Sequence, residues 1–196
     1  MKNYFPVLQH VNPPNIVTTL GLAFGVAACY FLVAGSLRGT IVCMFIAMLM
    51  DVLDGFIATK LNCKSVFGQQ MDSIVDFFIC CAMPVWMVFT FVGTGAHFVA
   101  AMVFYSACGL WRLAHFNITS KARTHFTGLP VPGAVVIACL VIWLTVQHDL
   151  PDWPLTATLF LCGVLMLSRF TITKYGPLQK ALWVAGAIFV IVVVVL

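Results

Sequence analysis

The chain has 196 residues, of which 62% are hydrophobic and 8% charged, and its mean hydropathy is +1.06. A soluble domain of this length carries about a quarter charged residues, so the composition points to an integral membrane protein and away from a soluble helical bundle. The net charge of +4 comes without any basic run, which excludes nucleic acid as an expected partner.

The opening residues, MKNYFPVLQHVNPPN, lack a signal-peptide layout, because polar residues and prolines precede the first long apolar run. Residues 1–14 carry Tyr4, Phe5, Val7, Leu8 and Val11, which suit either a short helix lying flat in the membrane interface or an extended entry. Apolar runs of spanning length then predict helices at Ile16–Gly35, Thr40–Thr59, Gly68–Val92, Gly95–Phe116, Val131–Gln147, Leu155–Leu167 and Leu178–Leu196. Seven are marked, within a range of six to eight. The sixth is short, bounded by Pro154 and Arg169. The expected fold class is all-α, a polytopic transmembrane helical bundle forming one membrane domain over residues 1–196.

Basic residues set the expected orientation. With the N-terminus in the cytoplasm, Lys2, Lys60, Lys64, Arg112, Lys121, Arg123, Arg169, Lys174 and Lys180 fall on the inner side, and only Arg38 falls outside. That asymmetry is a positive-inside signal for a cytoplasmic membrane protein. The eight cysteines mostly sit in apolar runs without any CxxC pair. They read as small buried hydrophobes, with neither a disulfide framework nor a zinc site.

The acids are Asp51, Asp54, Asp72, Asp76, Asp149 and Asp152, with no glutamate, so four of six fall within DVLDGFIATKLNCKSVFGQQMDSIVD, residues 51–76. At about 100° per residue, Asp51, Asp54, Gly55 and Ala58 share one face of the second helix. Gly68, Asp72 and Asp76 share one face of the third. About nine residues join these helices, which makes them antiparallel neighbours, so the two acidic faces can oppose each other near the inner membrane surface. Clustered carboxylates repel one another, and an oxygen-rich site suits one or two hard divalent cations. Intramembrane acids mark functional sites by default. The alternative is a set of solvated helix-end acids, paired with Lys60, Lys64 or Arg112. Gly55 and Gly68 allow close backbone approach, which suits a metal-bound diphosphate as well as tight helix packing.

These residues resemble the signature of the CDP-alcohol phosphotransferase family, D-x2-D-G-x2-A-R-x8-G-x3-D-x3-D. Asp51, Asp54, Gly55, Ala58, Gly68, Asp72 and Asp76 keep every spacing, and Thr59 replaces the family arginine, with Lys60 directly after it. The resemblance implies a site at the cytoplasmic membrane surface. It makes Asp51, Asp54, Asp72 and Asp76 ligands of Mg²⁺ or Mn²⁺. It makes Asp76 the general base, and Gly55, Ala58 and Gly68 the nucleotide groove. Thr59 offers a hydrogen bond without charge, and Lys60 is the candidate replacement for the missing arginine.

A second stretch, CGLWRLAHFNITSKARTHFTGLPVPGA at residues 108–134, resembles the R-L-A-R-F-N and F-x-G-L-P-x-P region of the phosphatidylserine synthases, a branch of that family. It brings Arg112 and Asn117, with Lys121 and Arg123, forward for the acceptor and its charge. Arg112 also reads as a counter-charge to the aspartates, and Lys121 and Arg123 as ordinary inner-side flanks. Asn15 and Thr18 match a P-N-x-x-T start in the family and are candidates for nucleotide contact, with helix capping an equal role for Asn15. The resemblance implies CDP-diacylglycerol and L-serine as substrates, phosphatidylserine and CMP as products, membrane lipids as surroundings and a homodimer. Glycerol 3-phosphate and inositol phosphate are the rival acceptors. A divalent-cation transporter is the rival from another class, although it would place its acids near the midplane.

Overall fold

The computed structural model describes residues 5–119, 125–169, 171–173 and 177–195. Its helices are α1 (Pro13–Val33), α2 (Leu37–Lys60), α3 (Val66–Phe91), α4 (Ala96–Thr119), α5 (Val131–His148), α6 (Trp153–Leu167) and α7 (Pro177–Val195). The first five are long and apolar enough to cross a membrane. The fifteen residues of α6 rise about 22 Å, short of the roughly 30 Å hydrocarbon thickness. The helical membrane fold expected from composition is therefore present.

Local chemistry explains the breaks between helices. Asn12 caps α1 by accepting from the Asn15 N–H at 3.0 Å, with Pro13 and Pro14 at its first positions. The cap is Asn12, not Asn15, because a cap must precede the first helical residue. At the far end Gly35 takes a left-handed φ of 75°, and the Ser36 N–H reaches back to the Phe31 carbonyl at 2.8 Å. That closure satisfies a carbonyl the helix end would leave open. Ser36 then caps α2 through the Gly39 N–H, so α1 and α2 form a tight antiparallel hairpin, packed along their length.

The same devices separate α2 from α3. Asn62 adopts φ 51°, Cys63 N–H bonds the Ala58 carbonyl at 3.1 Å, and Ser65 caps α3 through the Gly68 N–H at 3.0 Å. The connection is thus only residues 61–65, shorter than the sequence reading allowed, because both caps let the helices run on. Within α3, residues Phe77–Ala82 form a wide, π-type turn.

Two three-residue strands were not expected. β1 (His125–Thr127) pairs antiparallel with β2 (Thr171–Thr173), with Phe126 opposite Ile172. Strands this short carry no readable periodicity. They join the connection after α4 to that after α6. Gly128, at φ 76°, follows β1 where a side chain would meet the Met166 carbonyl at 2.6 Å, which accounts for the glycine in FTGLP. Leu129 N–H bonds the Leu165 carbonyl at 2.9 Å.

The core forms around the wide turn of α3. Ile79, Cys80, Cys81, Met83 and Met87 are buried against Tyr105 and Met102 of α4, Cys139 and Ile142 of α5, and Leu159, Cys162 and Met166 of α6. Six of the eight cysteines are buried and all eight are unpaired, in line with their reading as small hydrophobes. Outward positions such as Val26, Val103, Leu161 and Ile188 are also apolar, as helices facing lipid require.

Candidate active site

The acids do converge. Asp51 of α2 and Asp72 and Asp76 of α3 each offer a carboxylate oxygen, all within 4.8 Å of one another. Spacings of three and four residues keep each helix's acids on one face, and the short 61–65 connection sets those faces together. Carboxylates this close repel one another when all are ionised, and a cation between them relieves that repulsion. Neither Lys60, Lys64 nor Arg112 forms an ion pair with the aspartates among the described residues. Asp51 and Asp76 stand roughly 14–15 Å of helix, and Asp72 about 9 Å, from the ends of α2 and α3 that the 61–65 connection joins.

Asp54 is held separately. It is buried, and the Thr18 hydroxyl of α1 donates to its Oδ2. That hydroxyl also lies 3.1 Å from the Pro14 carbonyl. Asp54 still sits within electrostatic range of Asp72 and Asp76. Thr18, read from sequence as a nucleotide contact, therefore stands against an aspartate side chain, and α1 becomes the third wall of the site.

The two motif glycines differ. A side chain on Gly55 would meet nothing within 4 Å, leaving an open strip beside the acids, whereas a Cβ on Gly68 would lie 2.8 Å from Asn15 Oδ1. Asn15 is buried and its amide donates to the His10 carbonyl at 2.8 Å, so Gly68 makes room for Asn15. Gly68→Ala is expected to cost about 1–2 kcal/mol, lowering the melting temperature in detergent by roughly 2–8 °C. An unchanged melting temperature would mean that Asn15 yields freely.

Ala58 is half-buried further along the α2 strip. Thr59 is exposed, and its hydroxyl donates to the Gly55 carbonyl of its own helix at 2.8 Å. Lys60 lies over the Phe56 ring at 6.0 Å, one turn back on its own face. The arginine expected at position 59 therefore has no cationic substitute directed onto the acids by α2.

Arg112 of α4 is 6% exposed, and its Nε has no hydrogen-bond partner among the described residues. A buried donor left open in this way is costly unless a ligand completes it. Asn117, five residues on, is oriented by α3: Ser73 Oγ donates to its Oδ1 at 3.0 Å and Gln69 Nε2 at 3.3 Å. With its oxygen so engaged, the amide N–H₂ is the end left to meet a ligand. Sequence reasoning missed Gln69 and Ser73, although they flank Asp72 and lie one turn apart on α3. Lys121 and Arg123 lie outside the described residues.

The bundle thus brings together three converging carboxylates, an open backbone strip and a buried arginine whose Nε has no partner among the described residues. The chain belongs to the CDP-alcohol phosphatidyltransferase family, whose model matches residues 11–167, from the entry to α1 through α6. It is 29% identical over 160 residues to the CDP-diacylglycerol–serine O-phosphatidyltransferase of Bacillus subtilis, covering 80% of this chain and 86% of that one. It is 28% identical over 188 residues to the enzyme of the same name from Helicobacter pylori, covering 88% and 77%. The archaetidylserine synthase of Methanothermobacter thermautotrophicus is 28% identical over 140 residues, 69% of this chain and 60% of that protein. Family membership sets aside the cation-transporter reading of the acids.

Proposed function

We propose that this protein transfers the phosphatidyl group of CDP-diacylglycerol to the hydroxyl of L-serine, giving phosphatidylserine and CMP. The observation that carries the reading is the meeting of Asp51, Asp72 and Asp76 within 4.8 Å, in a chain whose relatives bear that name. The donor set consists of hard carboxylate oxygens and fits Mg²⁺ or Mn²⁺. Asp51, Asp54, Asp72 and Asp76 would hold one or two such ions. When bound, a divalent cation neutralises the diphosphate and eases departure of CMP.

The chain's own groups do the rest. Gly55 and Ala58 leave backbone room for the nucleotide and diphosphate, with Thr59 and Lys60 at the rim. Gly68, Asn15 and Thr18 support that groove from α3 and α1. Arg112 and the Asn117 amide meet the serine carboxylate, and Lys121 and Arg123 add positive charge nearby. Asp76 takes the serine hydroxyl proton as the new oxygen–phosphorus bond forms and the bond from that phosphorus to CMP breaks. Holding donor and acceptor in line contributes much of the rate.

The site opens to the cytoplasm of a cell membrane, with the N-terminus on the same side, which the distribution of basic residues supports. Phe5, Val7, Leu8 and Val11 stand exposed around the Pro6–His10 turn, which supports an interfacial entry segment ahead of a single membrane domain. A homodimer is part of the reading.

The decisive measurement is CMP release by detergent-purified protein given CDP-diacylglycerol, Mn²⁺ or Mg²⁺, and each of serine, glycerol 3-phosphate and inositol phosphate. Release with serine alone is expected, and chelation with EDTA should abolish it. No release with any acceptor would overturn the transferase reading. Release with glycerol 3-phosphate alone would move the acceptor assignment.

A further inference from the structure

We propose that Tyr105 is a positioning residue for Asp76, acting through the wide turn of α3; the proposal rests on the reading of Asp76 just given. In a regular helix the Cys80 carbonyl would accept from the N–H of residue 84. Residue 84 is proline, which has no N–H and crowds that carbonyl with its ring. The helix answers with the wide turn Phe77–Ala82, in which the Met83 N–H reaches five residues back to the Phe78 carbonyl. One extra residue is thereby accommodated, which rotates the segment before the turn by about 100° against the segment after it.

That rotation decides where Asp76 faces. The turn begins at the residue after Asp76, while Ile79, Cys80, Cys81 and Met83 are locked in the core. With the upper half of α3 anchored, the wide turn aims Asp72 and Asp76 at Asp51. The Cys80 carbonyl is buried with no donor at position 84. Tyr105 of α4, fully buried itself, supplies one: its hydroxyl donates to Cys80 O at 2.9 Å. The Ser106 hydroxyl lies 3.5 Å from the next carbonyl, that of Cys81. Tyr105 thus holds the irregular backbone in place from the neighbouring helix, and π-type turns recur at functional sites.

Tyr105→Phe keeps the ring and removes the donor. In the full-length detergent-purified protein, kcat is expected to fall at least tenfold while KM for CDP-diacylglycerol and serine stays within twofold. Mn²⁺ affinity, read by electron paramagnetic resonance, should fall severalfold as the carboxylates lose register. In Pro84→Ala/Tyr105→Phe an N–H returns at position 84 and a regular helix can re-form. The melting temperature should then recover while kcat and Mn²⁺ affinity stay low. If Tyr105→Phe alone does not fold, the double variant decides on the same two readings. Wild-type kcat and Mn²⁺ affinity in Tyr105→Phe, or their return in the double variant, would overturn the proposal. A wild-type protein inactive with every acceptor would instead overturn the transferase reading, and Mn²⁺ affinity alone would then judge Tyr105.

Discussion

Asp76→Asn is expected to lower turnover by about 10²–10⁴-fold, the range general-base catalysis contributes, while CDP-lipid still binds. The substitution keeps size and one acceptor oxygen but removes both the charge and the basic site. Its effect on stability should run the other way. The carboxylate oxygens of Asp51, Asp72 and Asp76 lie within 4.8 Å of one another, and acids this close disfavour one another's ionisation. Asp76 takes part in two such pairs, with Asp51 and Asp72, so without divalent metal the variant should melt at or above the wild-type temperature. The rise in melting temperature on adding Mn²⁺ should shrink, because one of three carboxylate ligands is lost. CMP release and thermal shift with and without Mn²⁺ measure both. Turnover within tenfold of wild type would remove Asp76 from the base role.

Arg112→Leu is the second large effect, and it separates binding from folding. A charge-assisted hydrogen bond contributes about 1.5–3 kcal/mol, so loss of the guanidinium should raise KM for serine by roughly 10–150-fold. Lysine should restore only part of this, since it cannot form the paired contacts of a planar guanidinium. Stability should hold or improve, because Arg112 is buried with its Nε open and without an ion pair to the aspartates among the described residues. A large drop in melting temperature with KM unchanged would mean that Arg112 is a structural counter-charge. Michaelis curves in serine, run beside thermal melts, distinguish the two.

Much of the architecture was legible because a membrane helix writes itself along the chain. Each closes its hydrogen bonds internally, so apolar runs suffice to place most elements, while the caps at Asn12, Ser36 and Ser65 start α1, α2 and α3 two or three residues before the expected Ile16, Thr40 and Gly68. The acidic cluster was legible too, since spacings of three and four residues put Asp51 with Asp54 and Asp72 with Asp76 on defined faces. Local pattern was less informative about the 61–65 connection, where Asn62 took the left-handed position that glycine fills at Gly35. It was silent on β1 and β2, each three residues long, and it did not show that Thr18 bonds Asp54 or that Gly68 makes room for Asn15.

What the sequence by itself determined is the solvent this chain lives in, the run of its helices and the face on which each aspartate sits. These follow from composition and from a helical period set by bonds four residues long. The tertiary structure alone decided which side chains meet across helices. Thr18 reaches Asp54 over 36 positions, Tyr105 reaches Cys80 over 25, and Gln69 reaches Asn117 over 48. Pro84 announces in the sequence that the Cys80 carbonyl lacks a donor, but not that Tyr105 supplies it. Such pairings depend on the rotation of one helix against another, and that rotation is set by packing of whole faces, which no local spacing encodes.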